Sequence, residues 1–178
     1  MTIRTTIAGV LLAAAALAAT AAPAAARKIV VGQPAPDFKM HLAGGGVVSL
    51  ADLKGQVVIL NLWATWCGPC KREMPDLDLI QTNGAKYGLR VFGVLVMDPT
   101  PMSQLRPLSK ALHYPLVASM SGGYGPVGDA VPTNYIIDRE GVVRYAKANS
   151  LTAKDYADIL GPLLVQPAGM TPVADPAK

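Results

Sequence analysis

The sequence predicts a mixed α/β fold in which a central β-sheet carries helices on both faces. Two near-continuous apolar runs, residues 57–63 and 89–97, are typical of strands that are covered on both sides. A helical segment lies between them, and a hairpin followed by a helix closes the folded part of the chain. This alternation of strands and helices within 178 residues indicates one layered domain with its own core.

Turn and capping residues locate the elements in order. Gly44-Gly45-Gly46 is typical of a hairpin turn, and Asn83-Gly84 ends the helix that follows the first buried strand. Thr152 and Asp155 cap the last helix, which Gly161-Pro162 ends or kinks. The predicted strands are residues 38–42, 47–50, 57–63, 89–97, 135–138 and 142–146, and the predicted helices are residues 69–83, 101–113 and a third that starts after residue 152.

The chain is 51% hydrophobic, and much of the excess lies in its first 26 residues. There, a short apolar run follows Arg4, and Ala24-Ala25-Ala26 matches the cleavage site of a secretory signal peptide. We therefore predict a signal peptide over residues 1–26, a folded domain over residues 27–165 and a disordered Pro/Ala-rich tail over residues 166–178. An uncleaved membrane anchor is the alternative, although a span needs about 20 apolar residues. Either way, the domain is expected to be exported, and a bacterial periplasm is the expected location.

Charge and cysteine content exclude several classes of function. The formal net charge is +4, but most of the excess comes from residues at the chain ends, so no nucleic-acid partner is predicted. Two cysteines are too few for a disulfide-rich scaffold or for a four-cysteine zinc or iron–sulfur site. The sequence therefore predicts neither a cofactor nor a metal.

Both cysteines belong to one motif, Cys67-Gly68-Pro69-Cys70, which directly follows a predicted strand and opens a predicted helix. A C-x-x-C pair at such a junction is typical of thiol–disulfide redox chemistry. At the helix start, unpaired N–H groups and the helix dipole stabilise a Cys67 thiolate and lower its pKa. Cys70, three residues on, lies on the same face, so the two sulfurs can form a disulfide. A loop this short constrains the unfolded chain little, which argues against a purely structural bond.

The cysteine motif is one of four distinctive segments in the chain. They are GQPAPDF (residues 32–38), SLADLKG (residues 49–55), NLWATWCGPC (residues 61–70) and VPTNYIIDREG (residues 131–141). Together they resemble the TlpA/ResA-like group of exported thioredoxin-fold thiol–disulfide oxidoreductases. The similarity covers residues 30–162 and implies a thioredoxin-like fold with an N-terminal β-hairpin extension, in a monomeric enzyme.

The resemblance implies further site residues. Pro132 matches the cis-proline of the family, which faces the cysteine pair, so Val131 is expected to lie beside the sulfurs and to bind the substrate chain. Trp66 is expected to form part of the surface on which substrate docks. Glu73 matches an acidic residue implicated in thiol ionisation, and it is expected to accept the proton of Cys70. A solvated Glu73 that only interacts with the helix dipole is the alternative.

Two residues depart from related patterns. Asn61 stands where thioredoxin has a buried aspartate that accepts a proton, which leaves Glu73 as the candidate carboxylate. Thr133 stands where the cytochrome-c-maturation thioredoxins related to CcmG usually carry a glutamate, so the chain is not predicted to be a CcmG protein.

The resemblance also implies a direction of electron flow. Gly68-Pro69 matches the dipeptide of thioredoxin, a reductant at about −270 mV. The expected function is therefore reduction of protein disulfides, in apocytochrome c during cytochrome c biogenesis or in copper-delivery proteins. The enzyme would be reduced again by a thiol-reducing electron-transfer protein of the membrane.

Two alternatives stay open. A copper-binding chaperone would use Cys67 and Cys70 as soft ligands, although His41 and His113 are remote in sequence as further ligands. A peroxiredoxin-like peroxidase shares the opening segment, but it places Thr or Ser three residues before its reactive cysteine and Pro seven before. Ala64 and Leu60 occupy those positions here, which argues against peroxidase activity.

Overall fold

A computed structural model describes residues 28–165, so the predicted signal peptide and the predicted tail lie outside the described residues. Within this range, the strands are β1 (Lys39–Leu42), β2 (Val47–Ser49), β3 (Val57–Trp63), β4 (Leu89–Leu95), β5 (Leu116–Met120), β6 (Thr133–Ile137) and β7 (Val143–Ala148). These seven strands form one mixed sheet in the order β2-β1-β5-β4-β3-β6-β7. The helices are α1 (Gly68–Gly84), α2 (Arg106–Ala111) and α3 (Ala153–Val165).

The centre of the sheet is parallel and its two ends are antiparallel. β3 runs parallel to β4, and β4 runs parallel to β5. β6 lies antiparallel to β3 on the other side and pairs with β7, while the β1–β2 hairpin extends the sheet beyond β5. All seven residues of β3 are buried, as its apolar run predicts. The predicted mixed sheet and its N-terminal hairpin are confirmed.

Alternate residues of β3 point into two core clusters. Ile59 and Trp63 pack with residues of α1 and α3, among them Leu77 and Tyr156. Val58, Leu60 and Leu62 pack in the second cluster, on the other face of the sheet, with the hairpin, the short 3₁₀ helix Ala51–Leu53 and the loop that carries Tyr124. Because Asn61 is at an odd position of β3, the period of two directs its side chain toward α1 and α3.

Two predictions about elements are wrong in detail. Strand β5 was missed, because only its first two residues are buried and the pattern that follows is exposed. The predicted helix 101–113 is divided into a 3₁₀ turn, Met102–Leu105, and the short helix α2. Pro107, in the first turn of α2, has no N–H to continue a single helix through this point. Of the two outcomes expected at Gly161-Pro162, an end of the helix is not observed, because α3 continues to Val165.

Other predicted boundaries agree closely. Thr152 precedes α3, its hydroxyl accepts the Asp155 N–H at 3.3 Å, and its own N–H donates to the Asp155 carboxylate at 2.8 Å, as the capping pattern predicts. Between residues 28 and 165, no helix combines the length and the apolar character needed to cross a membrane.

Candidate functional site

Cys67 and Cys70 form a disulfide at the start of α1, with Cα atoms 5.3 Å apart. Cys67 is the N-cap of the helix, and its Sγ accepts the backbone N–H of Cys70 at 3.1 Å. Pro69 occupies the first helical turn, where its missing N–H costs no hydrogen bond. The Cys67 sulfur therefore lies among the unpaired N–H groups of the helix start, which stabilise a negative charge on it.

A loop from the opposite side of the motif reaches the same sulfur. The Val131–Pro132 peptide bond is cis, and the Val131 carbonyl oxygen lies 3.6 Å from Cys67 Sγ. Thr133 anchors this loop, because its hydroxyl donates to the Ala130 carbonyl at 2.7 Å and accepts the Val127 N–H at 3.0 Å. The cysteine motif follows the end of β3 and Val131 precedes the start of β6. Because β3 and β6 pair antiparallel, Val131 lies beside Cys67 Sγ.

The two sulfurs differ in access to solvent. Cys67 is 3% exposed, whereas Cys70 is 0% exposed. Cys67 is thus the cysteine of the pair with exposed surface, and its Sγ also lies against the Val131 carbonyl.

Trp66 extends an apolar surface next to Cys67. Its side chain is 59% exposed, and its indole Nε1 donates to the Met97 carbonyl at 3.1 Å. The following residue, Asp98, accepts the Thr65 N–H at 2.5 Å and the Thr100 N–H at 2.9 Å. Hydrogen bonds from Thr100 and Thr65 hold the pKa of Asp98 well below its usual value. The loop after β4 therefore fixes the Trp66 segment with charge-assisted bonds.

Glu73 lies one helical turn beyond Cys70 and is only 2% exposed. The alternative of a solvated first-turn glutamate is therefore wrong. Its Oε1 accepts three hydrogen bonds, from the Tyr156 hydroxyl at 2.5 Å, the Asn134 amide at 3.0 Å and the Leu151 N–H at 3.2 Å. Its Oε2 is buried and has no hydrogen-bond partner among residues 28–165.

A network of amides continues from this carboxylate into the sheet. Asn134 accepts a bond from the Asn61 side chain at 2.8 Å, and its amide also donates to the Asn149 carbonyl at 3.2 Å. Asn61 and Asn134 are direct partners in the β3–β6 register, which explains their contact. Residues from β3, β6, α1 and α3 thus surround one carboxyl group.

Two opposing effects act on the Glu73 carboxyl. Burial raises its pKa, because the charged form loses solvation inside the protein. Hydrogen bonds from Tyr156, Leu151 and Asn134, together with the nearby amide of Asn61, lower it, and burial prevails. A carboxyl with a raised pKa moves toward the range in which it can exchange a proton with a thiol.

The histidines considered as metal ligands lie elsewhere in the fold. His41 is on β1, which β5 and β4 separate from β3. His113 lies with its Nδ1 2.8 Å from Asp78 Oδ2, near the C-terminal half of α1. Among residues 28–165, no group of three or more His, Cys, Asp and Glu side chains could hold a metal ion.

Sequence reasoning missed two members of the site, Asn134 and Tyr156. A polar residue inside the buried strand β6 was the available signal for Asn134. Tyr156 gives no such signal, because its contact with Glu73 joins residues 83 positions apart.

Comparison with known proteins gives consistent matches. Residues 31–146 match the sequence pattern of the AhpC/TSA family. The chain is 33% identical over 129 residues to the thioredoxin-like protein YneN of Bacillus subtilis, covering 70% of this chain and 75% of YneN. It is 32% identical over 133 residues to the thiol-disulfide oxidoreductase ResA of Geobacillus thermodenitrificans, covering 71% and 74%. A thiol:disulfide interchange protein of the thioredoxin family from Chlorobium tepidum superposes with a TM-score of 0.62 at 28% identity, over 74% of this chain and 95% of that one.

Proposed function

Because the chain belongs to the AhpC/TSA family and is a thiol–disulfide oxidoreductase of the thioredoxin fold, we propose that it reduces the disulfides of exported proteins. The observation that carries this proposal is the position of Cys67 Sγ. It accepts a helix N–H and lies 3.6 Å from the Val131 carbonyl, at the only part of the pair with exposed surface.

The first step uses Cys67 as the nucleophile. Its thiolate attacks one sulfur of a substrate disulfide, a new bond joins Cys67 to the substrate, and the other substrate sulfur leaves as a thiolate. The unpaired N–H groups at the helix start stabilise negative charge on Cys67 Sγ and so favour the attacking form. Val131, beside the sulfur, and Trp66, the residue before Cys67, bind the substrate chain.

The second step releases the substrate. Cys70 loses its proton to Glu73, and its thiolate attacks Cys67 Sγ. The Cys67–Cys70 disulfide forms, and the second substrate sulfur leaves as a thiolate. The substrate gains two electrons and takes up two protons, one of them from solvent and one by way of Glu73, while the enzyme dithiol is oxidised.

Glu73 suits this role because it is one turn from Cys70 on the same helix and has a buried oxygen, Oε2, with no hydrogen-bond partner among the described residues. Asn61 has no carboxyl group that could exchange a proton, which leaves Glu73 as the candidate carboxylate. Pro132 maintains the loop that presents Val131.

The cellular setting follows from the sequence. A cleaved signal peptide over residues 1–26 would deliver a monomeric domain to the periplasm, where apocytochrome c or copper-delivery proteins are the substrates. A dithiol electron donor in the membrane would reduce the Cys67–Cys70 disulfide again.

The redox equilibrium of the purified protein tests the proposal. Incubation in dithiothreitol buffers, followed by alkylation of free thiols, measures the midpoint potential of the Cys67–Cys70 couple. A reductase should lie near the potential of thioredoxin, about −270 mV, and should reduce a protein disulfide in a coupled assay. A potential near about −120 mV, that of a strong oxidant, would contradict the proposal.

A further inference from the structure

The two oxygens of the Glu73 carboxyl have very different surroundings. Oε1 accepts bonds from Tyr156, Asn134 and Leu151, whereas Oε2 has no hydrogen-bond partner among the described residues. Since Oε1 already accepts three bonds, a proton arriving at the carboxyl has an unoccupied acceptor only at Oε2. The network thus makes the two oxygens chemically distinct.

Of the three donors to Oε1, the Tyr156 hydroxyl is the closest, at 2.5 Å. It is also 3.1 Å from Asn134 Oδ1, so its single proton has two acceptors within reach. The Leu151 N–H is fixed by the backbone, and the Asn134 amide is also bonded to the Asn149 carbonyl. The Tyr156 hydroxyl is therefore the donor that can turn between partners when the charge on Glu73 changes.

We infer that Tyr156 is a positioning residue of the exchange site: by donating to Oε1 it orients the Glu73 carboxylate so that Oε2 receives the proton of Cys70. In this step the S–H bond of Cys70 breaks, an O–H bond forms at Oε2, and the electron pair stays on sulfur. When Glu73 becomes neutral, the Tyr156 hydroxyl donates to Asn134 instead. This inference rests on the proposed function, because it assigns a role in the second step of the exchange.

The titratable groups around Glu73 are Tyr156 on α3, Tyr114 before β5 and Tyr145 on β7, with Cys70 one turn away on its own helix. Strands β3 and β6 contribute the amides of Asn61 and Asn134, which do not titrate. Burial raises the pKa of each of the three tyrosines, so all three stay neutral at the pH values at which a carboxyl or a thiol titrates. A change in the titration of Glu73 after loss of the Tyr156 hydroxyl therefore reports the lost hydrogen bond.

Tyr156→Phe tests the inference, and Tyr114→Phe is its matched control. Both tyrosines are almost fully buried, but the Tyr114 hydroxyl has no hydrogen-bond partner among residues 28–165. In the oxidised full chain, where neither cysteine titrates, ¹³C NMR of the carboxyl groups follows Glu73, with Glu73→Gln used to assign its signal. A stopped-flow assay of the release step, in the reduced protein, gives the matching pH–rate profile.

We expect Tyr156→Phe to move two midpoints to higher pH, that of the Glu73 carboxyl titration and that of the pH–rate profile of the release step. The reason is that the carboxylate loses a hydrogen-bond donor that favours its charged form. The release step should slow by about tenfold below the midpoint, the equivalent of one charge-assisted hydrogen bond, and recover at higher pH. Tyr114→Phe should leave both midpoints unchanged. Incorporation of 3-fluorotyrosine at position 156 keeps the shape with a more acidic hydroxyl, and it should move the Glu73 midpoint to lower pH.

Coincident Glu73 titrations for wild type and Tyr156→Phe would overturn the inference, as would equal shifts in the two Phe variants. If Tyr156→Phe does not fold, an unchanged midpoint in the fluorotyrosine protein would overturn it. The carboxyl titration needs no exchange activity, so it separates this failure from that of the proposed function. The proposed role of Glu73 fails instead if Glu73→Gln releases substrate as fast as wild type.

Discussion

Cys67 Sγ lies 3.6 Å from the carbonyl oxygen of Val131, although the two residues are 64 positions apart in the chain. The contact joins the N-terminus of α1 to the loop before β6, and it places a backbone acceptor beside the sulfur of the more exposed cysteine. We expect a substrate chain that lies along this loop to present its disulfide to Cys67.

Trp66→Ala should weaken the reduction of protein disulfides. The side chain is 59% exposed, so its loss should leave the free energy of unfolding within about 0.5 kcal/mol of wild type. If Trp66 contacts substrate proteins, kcat/KM for a protein disulfide should fall about tenfold, whereas reduction of a small aliphatic disulfide should change little. Leu79→Ala, at an equally exposed position of α1, is the control. Equal losses for protein and small disulfides would argue against a docking role.

Asp98→Ala should destabilise the loop that holds the Trp66 segment. Asp98 accepts backbone N–H groups from Thr65 and Thr100, so we expect the free energy of unfolding at pH 7 to fall by about 1–3 kcal/mol. Because the pKa of Asp98 is lowered in the folded state, this stabilisation is present above the unfolded carboxyl pKa and is lost as pH falls through the folded pKa.

Urea unfolding of the Asp98 variant and the wild type between pH 3 and pH 7 measures this difference. The difference in the free energy of unfolding between Asp98→Ala and wild type should shrink toward acid pH. Asp98→Asn keeps one carbonyl acceptor and should therefore lose less stability than Asp98→Ala. A gap that stays constant with pH would show that the charge of Asp98 does not contribute.

Glu73→Gln should become more stable relative to wild type as pH rises. Burial raises the pKa of Glu73, so the folded state favours the neutral carboxyl. That contribution is fully present below the unfolded pKa and is lost as pH rises through the folded pKa. Glutamine keeps the shape and stays neutral. Unfolding of the oxidised proteins in urea at pH 4 and pH 8 should show a larger difference in favour of glutamine at pH 8, and the reverse trend would contradict the burial argument.

Local patterns predicted much of the fold. The apolar run of residues 57–63 is strand β3 without a change of boundary, and the thioredoxin-like fold implied by the motifs is confirmed by the similar structures. Strand β5 was missed because Ala118 and Ser119 are exposed and break the apolar pattern. Pro107 divides a segment that composition alone describes as one helix.

The site was predictable only where its residues are close together in the sequence. Cys67 and Cys70 are adjacent in a motif, so their pairing is a local property that sequence spacing reveals. The partners of Glu73 come from β6, α3 and the loop before α3, which meet only when the sheet and helices have packed. Neither secondary-structure propensity nor hydrophobic periodicity predicts such long-range contacts.

Trapping of mixed disulfides tests the central claim most directly. In the bacterial envelope, the full chain with Cys70→Ser keeps the attacking thiol and cannot complete the second step, so substrate proteins should stay joined to Cys67 until a reductant releases them. The Cys67→Ser chain, whose remaining Cys70 is 0% exposed, should capture nothing above background. Equal capture by both variants, or no capture by Cys70→Ser, would contradict the account.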